Sequence, residues 1–403
     1  MKKTIKSAIL AITAFNASLS IALLAQEVDP DAVPASAKTT ARPALDAPPM
    51  IIPNPGSTEK YAAVNRQAQG VASMAVTPGG RIWAAWYAGT TPNTIIELCD
   101  HAYTVVATSG DGGKTWEEVL VIDPDGAGPM KAYDPQPWID PDGKLWIIWH
   151  HTIPPRAFAM VADDSEKANP AWSEPKLITR GIMMNKPAIL STGEWMFPVA
   201  ERITGQISHM RAMLVENGGE SFRDRGYAAM SYDGNQPIEP MIVERKDGSL
   251  WMLVRTRYGI HESFSQDRGE TWSPLTPSPI KHTTSRFFFI NLASGNLLLV
   301  KHGQVDERTE GPTQRRELMA FVSTDDGVTW SDGLMLDERA PVSYPDGQQA
   351  ADGTIYIIWD HSRSHAQEIF LTTFTEEDVL SGSKEARERV IKNRKLVSKG
   401  GKP

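Results

Sequence analysis

Six stretches of this chain repeat one pattern. A turn ending on glycine is followed by an unbroken apolar run: Gly80 before Ile82-Trp-Ala-Ala-Trp86, Gly143 before Leu145-Trp-Ile-Ile-Trp149, and Gly193 before Trp195-Met-Phe197. Gly248 before Leu250-Trp-Met-Leu-Val254, Gly295 before Leu297-Leu-Leu-Val300 and Gly353 before Ile355-Tyr-Ile-Ile-Trp359 complete the set. An Asp-Gly or similar turn between two apolar runs predicts a β-hairpin. Apolar residues at consecutive rather than alternate positions predict strands buried on both faces. The glycines are separated by 63, 50, 55, 47 and 58 residues, a period expected for propeller blades. The predicted fold is therefore all-β: a six-bladed β-propeller of four-stranded antiparallel blades.

A second motif accompanies the hairpins. Ser109-Gly-Asp111-Gly-Gly113-Lys-Thr115-Trp116, Ser265-Gln-Asp267-Arg-Gly269-Glu-Thr271-Trp272 and Ser323-Thr-Asp325-Asp-Gly327-Val-Thr329-Trp330 share the pattern Ser-x-Asp-x-Gly-x-Thr-Trp, an Asp-box. Degenerate copies lie at Asn217-Gly-Gly219-Glu-Ser-Phe222 and between Ala162 and Trp172. The Asp accepts backbone N–H groups, the Gly takes a positive φ and the Trp packs between blades. Several of the twelve Trp residues fall in these repeat positions, so their use is first of all structural.

The ends read differently. Lys2, Lys3 and Lys6 precede an apolar stretch from Ala8 to Leu24, the pattern of an export signal over residues 1–25 with a cut after Ala25. Asn16, Ser18 and Ser20 interrupt that stretch, which argues against a permanent membrane span. The expected location is thus periplasmic or extracellular. Cys99 is the only cysteine, so no internal disulfide is available to an exported fold. Residues 26–58 are Ala/Pro-rich and read as a linker or arm. Residues 59–376 hold the propeller, and residues 377–403 a short helix and a polar, basic tail. The formal net charge of -8 offers no basic field, which excludes nucleic acid as a natural partner.

Alignment on the turn glycines also orders the polar residues. Nine positions before each glycine stand Val71, Asp134, Met184, Glu239, Arg286 and Tyr344; seven positions after stand Tyr87, His150, Ala200, Arg255, His302 and Asp360. Lys186 with Asn185, and Glu201 with Arg202, stand beside the two apolar members of blade three. A hairpin folds both positions onto one end, and radial repetition brings six such ends around the axis, where a propeller places its pocket. Burying large charged groups there is costly without a partner or a purpose. Asp346, Arg257 and Arg363 lie near the same ends. A metal held by His150, His151 and His302 lacks tight ligand spacing, and no cofactor is expected.

From about Gln67 to Phe374 these motifs resemble the sialidase (neuraminidase) superfamily with BNR/Asp-box repeats. The resemblance implies a six-bladed propeller, a Tyr nucleophile activated by a Glu, an Asp acid/base, and three arginines gripping a substrate carboxylate, without a metal. Carried over, it makes Tyr344 the nucleophile, Glu239 its partner, Arg255 the second arginine and Arg286 the third. A free phenol is a weak nucleophile because its pKa is near 10, and an adjacent carboxylate base remedies that. Gly70 stands where the first arginine is expected, and Arg66 is near but out of register. For the acid/base the loop after Tyr87 offers Glu97, Asp100 and His101, while Asp134 and Asp346 could form a carboxylate pair of the ordinary kind. These departures point to a terminal, acidic or neutral sugar other than sialic acid. The candidate catalytic set is Tyr344, Glu239, Asp134 and Asp346; the candidate substrate-binding set is Arg255, Arg257, Arg286, His150, Lys186, His302, Asp360, Arg363 and Arg66. An exo-acting glycoside hydrolase, a polysaccharide lyase on a uronic-acid polymer and a non-catalytic glycan-binding propeller all remain compatible with them.

Overall fold

The structure, a computed structural model, describes residues 50–401 except 54, 56–57, 92–98, 100, 127–129, 152–154, 204–206 and 304–314. The expected export signal, most of the Ala/Pro-rich arm, and Glu97 and Asp100 lie outside the described residues.

Six antiparallel sheets form a ring. Their innermost strands are Ala68–Val76, Ala132–Ile139, Ala188–Ile189, Ile238–Glu244, Phe288–Asn291 and Val342–Gln349, one for each of blades one to six. Each continues through a glycine turn into the second strand, as the hairpin pattern predicts. Blade one gains a fifth strand, Met50–Pro53, paired with Glu117–Asp123. The end of the expected arm is therefore part of the sheet. The C-terminal segment is also corrected. Helices Glu376–Ser381 and Lys384–Asn393 lead to Lys395–Lys399, which pairs with Glu368–Phe374 as the outer strand of blade six. Helix residues Val379, Ala386 and Val390 are buried against blades five and six, so residues 377–399 belong to the propeller rather than to a loose tail.

The core is divided among the blade interfaces. Blades one and two, for example, enclose Trp83, Val106, Leu145, Trp149 and Phe158, and blades six and one enclose Trp86, Val105, Ile358 and Leu371. The three Ser-x-Asp-x-Gly-x-Thr-Trp segments fold alike. In one, Ser265 Oγ donates to Asp267 at 2.8 Å, Thr271 N and Oγ1 donate to the same carboxylate at 2.8 and 2.5 Å, and Trp272 Nε1 donates to Gly269 O at 3.0 Å. These donors hold the Asp267 carboxyl down at about 2, below its usual range. Turn glycines also lie flat on the preceding blade. A Cβ on Gly219 would sit 2.2 Å from Trp146, and one on Gly327 2.2 Å from Trp251.

Candidate active site

Four innermost strands break register at one level. The breaks fall between Gly70 and Ser73, Tyr133 and Gln136, Ile238 and Met241, and Ser343 and Asp346. Within them Val71, Asp134, Glu239 and Tyr344 adopt φ of 54°, 49°, 59° and 55°. Such values are uncommon outside glycine and costly for a β-branched or bulky residue. A bulge re-aims a side chain out of its ladder. Pro135, Pro240 and Pro345 follow three of these residues; a proline has no N–H to lose, so it suits a position where pairing is interrupted.

Tyr344 and Glu239 meet across the axis. Tyr344 Oη donates to Glu239 Oε1 at 3.1 Å, and Arg255 Nη1 donates to Glu239 Oε1 at 2.6 Å and to Tyr344 Oη at 2.7 Å. Glu239 is 1% and Tyr344 7% exposed. Burial pushes the phenol above its ordinary 10, against the lowering pull of Arg255, Arg315 and Arg363. Burial opposes the charge of Arg255, but Glu239 and Tyr344 outweigh it and hold the guanidinium protonated.

Three guanidiniums surround the phenol. The ring centroid of Tyr344 lies 5.8 Å from Arg255, 5.5 Å from Arg315 and 4.1 Å from Arg363. Arg363 Nε donates to Asp360 Oδ2 at 2.9 Å, and that oxygen also accepts Val71 N at 2.8 Å. Arg363 lies over Gly70, where an added Cβ would come within 2.7 Å of Arg363 Cγ. The glycine in place of the expected first-blade arginine thus makes room for an arginine from blade six. Arg315 donates to Thr284 O at 3.1 Å, and its buried Nε has no hydrogen-bond partner. Burial lowers its pKa, with Arg255 and Arg363 adding repulsion. Among the described residues no carboxylate is within ion-pair distance of Arg315. Among the described residues, Glu239 and Asp360 are the carboxylates paired with Arg255 and Arg363.

The remaining candidates are placed elsewhere or differently. Two residues down each innermost strand lies a second layer around the axis. There Ser73 Oγ lies 3.0 Å from Gln136 Oε1 and 2.7 Å from Asp346 Oδ2, and Lys186 pairs with Asp346. Arg286 Nη2 donates to Asp346 Oδ1 at 2.9 Å and Arg286 Nε to Asn185 Oδ1 at 2.8 Å. Arg286, Lys186 and Asp346 thus form a buried network of their own, and Arg315 and Arg363, rather than Arg286, join Arg255 beside the phenol. Burial lowers Lys186 to about 8 despite Asp346. Arg66 is fully buried and grips Glu118 at 2.8 and 2.5 Å, so it braces blade one. Arg257 is exposed, in the turn between Leu250–Thr256 and Gly259–Ser265.

Asp134 Oδ2 lies 3.1 Å from His150 Nε2; burial, then repulsion from His151, pushes His150 down to about 3. His302 stacks on His282 with centroids 5.4 Å apart and faces Arg316 O at 3.0 Å, which separates it from the His150 pair. A cavity of about 350 Å³ opens at the far ends of the innermost strands, lined in part by Trp138, Lys186, Phe288 and Gln348; Tyr344 and Glu239 take no part in it. Arg315 was not legible in the glycine register, because it stands just before the third strand of blade five; its signal is the Arg315-Arg316 pair preceding Leu318–Ser323.

Comparison with known proteins places the propeller in a family. Residues 131–357, more than half of the chain, match the family model of the BNR repeat-like domain. The chain belongs to that family, as a sialidase-like member of the BNR superfamily. It is 23% identical over 312 residues to a sialidase of Bacteroides fragilis, covering 68% of this chain and 56% of that protein. The chain thus spans little more than half the length of that curated relative. Among solved structures it resembles a Hadza microbial sialidase, with a TM-score of 0.63, 19% identity and coverage of 78% of this chain and 67% of the other. A leech intramolecular trans-sialidase gives 0.60, 13%, 79% and 70%. At these identities the structural likeness speaks for the fold, and the family points to a glycoside-hydrolase-like function.

Proposed function

We propose that this chain is a retaining, exo-acting glycosidase that removes a terminal carboxylate-bearing sugar from a glycan. The carrying observation is the contact of Tyr344 Oη with both Glu239 and Arg255, with the guanidiniums of Arg315 and Arg363 over the same ring. Glu239 takes the phenolic proton as Tyr344 Oη bonds to the anomeric carbon. The glycosidic C–O bond breaks, and the aglycone oxygen leaves with a proton from a carboxylic acid. Water then bonds to the anomeric carbon and gives a proton back to that acid; the Tyr344 Oη–carbon bond breaks, and the released phenolate recovers its proton from Glu239. Arg255 stabilises the developing phenolate. Arg315 and Arg363, with Arg255, bind the sugar carboxylate, for which a forked guanidinium is well shaped. Asp100, Glu97 and Asp134 are the candidates for the acid.

The test is product analysis. The chain is incubated with sialylated, uronic-acid-containing and rhamnose-containing glycans, and the products are weighed by mass spectrometry. Release of an acidic monosaccharide carrying one added water is expected, with Tyr344→Phe inactive. An unsaturated product would assign a lyase, and a chain that binds but releases nothing would assign a binding propeller. We also place this activity outside the cytoplasm, on the Lys-rich and then apolar N-terminal stretch, and expect the mature chain to begin at Gln26.

A further inference from the structure

We propose that the flank of blade three carries a second carbohydrate site, which stacks a neutral pyranose unit of the glycan on Tyr227. The choice of ligand class rests on the proposed glycan-processing function; the site itself rests on its own geometry. Among the described residues, blade three has the longest third and outer strands, Ile207–Glu216 and Ser221–Ser231. On these strands the rings of His209 and Tyr227 stack with centroids 3.9 Å apart and planes 11° from parallel. Tyr227 is 51% exposed, so His209 covers one face of the phenol and fixes it. A pre-fixed aromatic plate loses little entropy when a ligand settles on it.

The plate borders a groove of about 580 Å³. Its floor is set by Gly226, where a Cβ would fall 2.3 Å from the backbone oxygens of Gly269 and Glu270 in blade four. The outer strand is therefore pressed onto the neighbouring turn, and Trp272 from that turn lines the same groove. The polar walls are two arginines already matched with carboxylates. Arg211 lies 3.1 Å from Glu201 and 2.6 Å from Asp224; Arg225 lies 3.2 Å from Glu270 and 3.6 Å from Glu194. These walls set two arginines against four carboxylates, so an anionic sugar gains nothing here. Arg211 is only 8% exposed, and the Nε atoms of Arg211 and Arg225 are the ones that face Glu201 and Glu270, so the polar groups of the walls are held in place. An aromatic plate beside fixed donors and acceptors matches a sugar with one C–H face and a rim of hydroxyls.

Saturation-transfer NMR on the full chain tests this, with methyl β-galactoside as the neutral probe and methyl β-glucuronide as the anionic one. The galactoside should receive saturation, and its affinity should fall about tenfold or more in Tyr227→Ala, as when an aromatic anchor leaves an interface. Tyr227→Phe, which keeps the ring, should retain binding, as should Arg255→Ala. Unfolding midpoints of all variants establish that each is folded. No transfer to the galactoside, loss in Arg255→Ala with none in Tyr227→Ala, or stronger Tyr227-dependent binding of the glucuronide would each overturn the proposal. Binding is read without turnover, so a chain lacking glycosidase activity that still binds here would sink the proposed function and leave this site standing.

Discussion

At the scale of single residues, groups proposed to react and groups that hold the sugar should respond differently to substitution. Tyr344→Phe and Glu239→Gln should each lower kcat by about a thousandfold with little change in KM, because nucleophile and base act on the bond being broken. Arg363→Ala should instead raise KM. Gly70→Ala should reproduce part of that rise although it adds only a methyl, since its Cβ would fall within 2.7 Å of the Arg363 side chain. If Gly70→Ala leaves KM unchanged while Arg363→Ala raises it, Gly70 is not what makes room for the arginine. Burial keeps the phenol above its ordinary 10, so the rate should not climb between about pH 8 and 10 as it would for a phenol ionising on its own; a pH–rate profile checks this. Tyr344, Glu239 and Asp134 were legible because each occupies one register position nine residues before a turn glycine. Arg286 shares that position, yet its neighbours Asn185 and Asp346 draw its guanidinium into the second layer. Charge alone could not reveal that choice of partner.

At the scale of elements, the turns do the positioning. The apolar runs made the second strands plain in the sequence, because strands covered on both sides cannot afford alternation. The outer strands were less plain. Lys395–Lys399 is half polar and short, and only its pairing with Glu368–Phe374 makes it a strand. The bulges carried a signal in Asp134-Pro135, Glu239-Pro240 and Tyr344-Pro345, where a proline marks the break in pairing. Turn glycines divide into two kinds. Gly353 has φ of 87° with open space where a Cβ would go, whereas Gly327 has φ of 85° with Trp251 at 2.2 Å. Gly353→Ala should cost about 1 kcal/mol of left-handed backbone strain, and Gly327→Ala about 1–3 kcal/mol more from overpacking. Urea unfolding of the two variants measures the difference; equal losses would mean that the turn does not bear on Trp251.

At the scale of the whole molecule, buried imidazoles tie stability to pH. His150 and His302 are driven mainly by burial from 6.5 to about 3, and His151 to about 4. With folded values below unfolded ones, the unfolded chain binds more protons between these limits. Their contribution is complete above about pH 6.5 and is lost as the pH falls toward 3–4. The urea midpoint should therefore drop between pH 7 and pH 4.5; a flat midpoint would mean that these rings are solvated. The ring as a whole brings Tyr344 from blade six, Glu239 and Arg255 from blade four, and Arg315 and Arg363 from blades five and six to one end of the axis. The proposed activity of this convergence is hydrolysis of a terminal acidic sugar through Tyr344. The decisive measurement is the mass of the products formed from the glycan panel by the wild-type chain and by Tyr344→Phe. An acidic monosaccharide with one added water, absent with the variant, is the predicted result; an unsaturated sugar, or equal release by the variant, would contradict it.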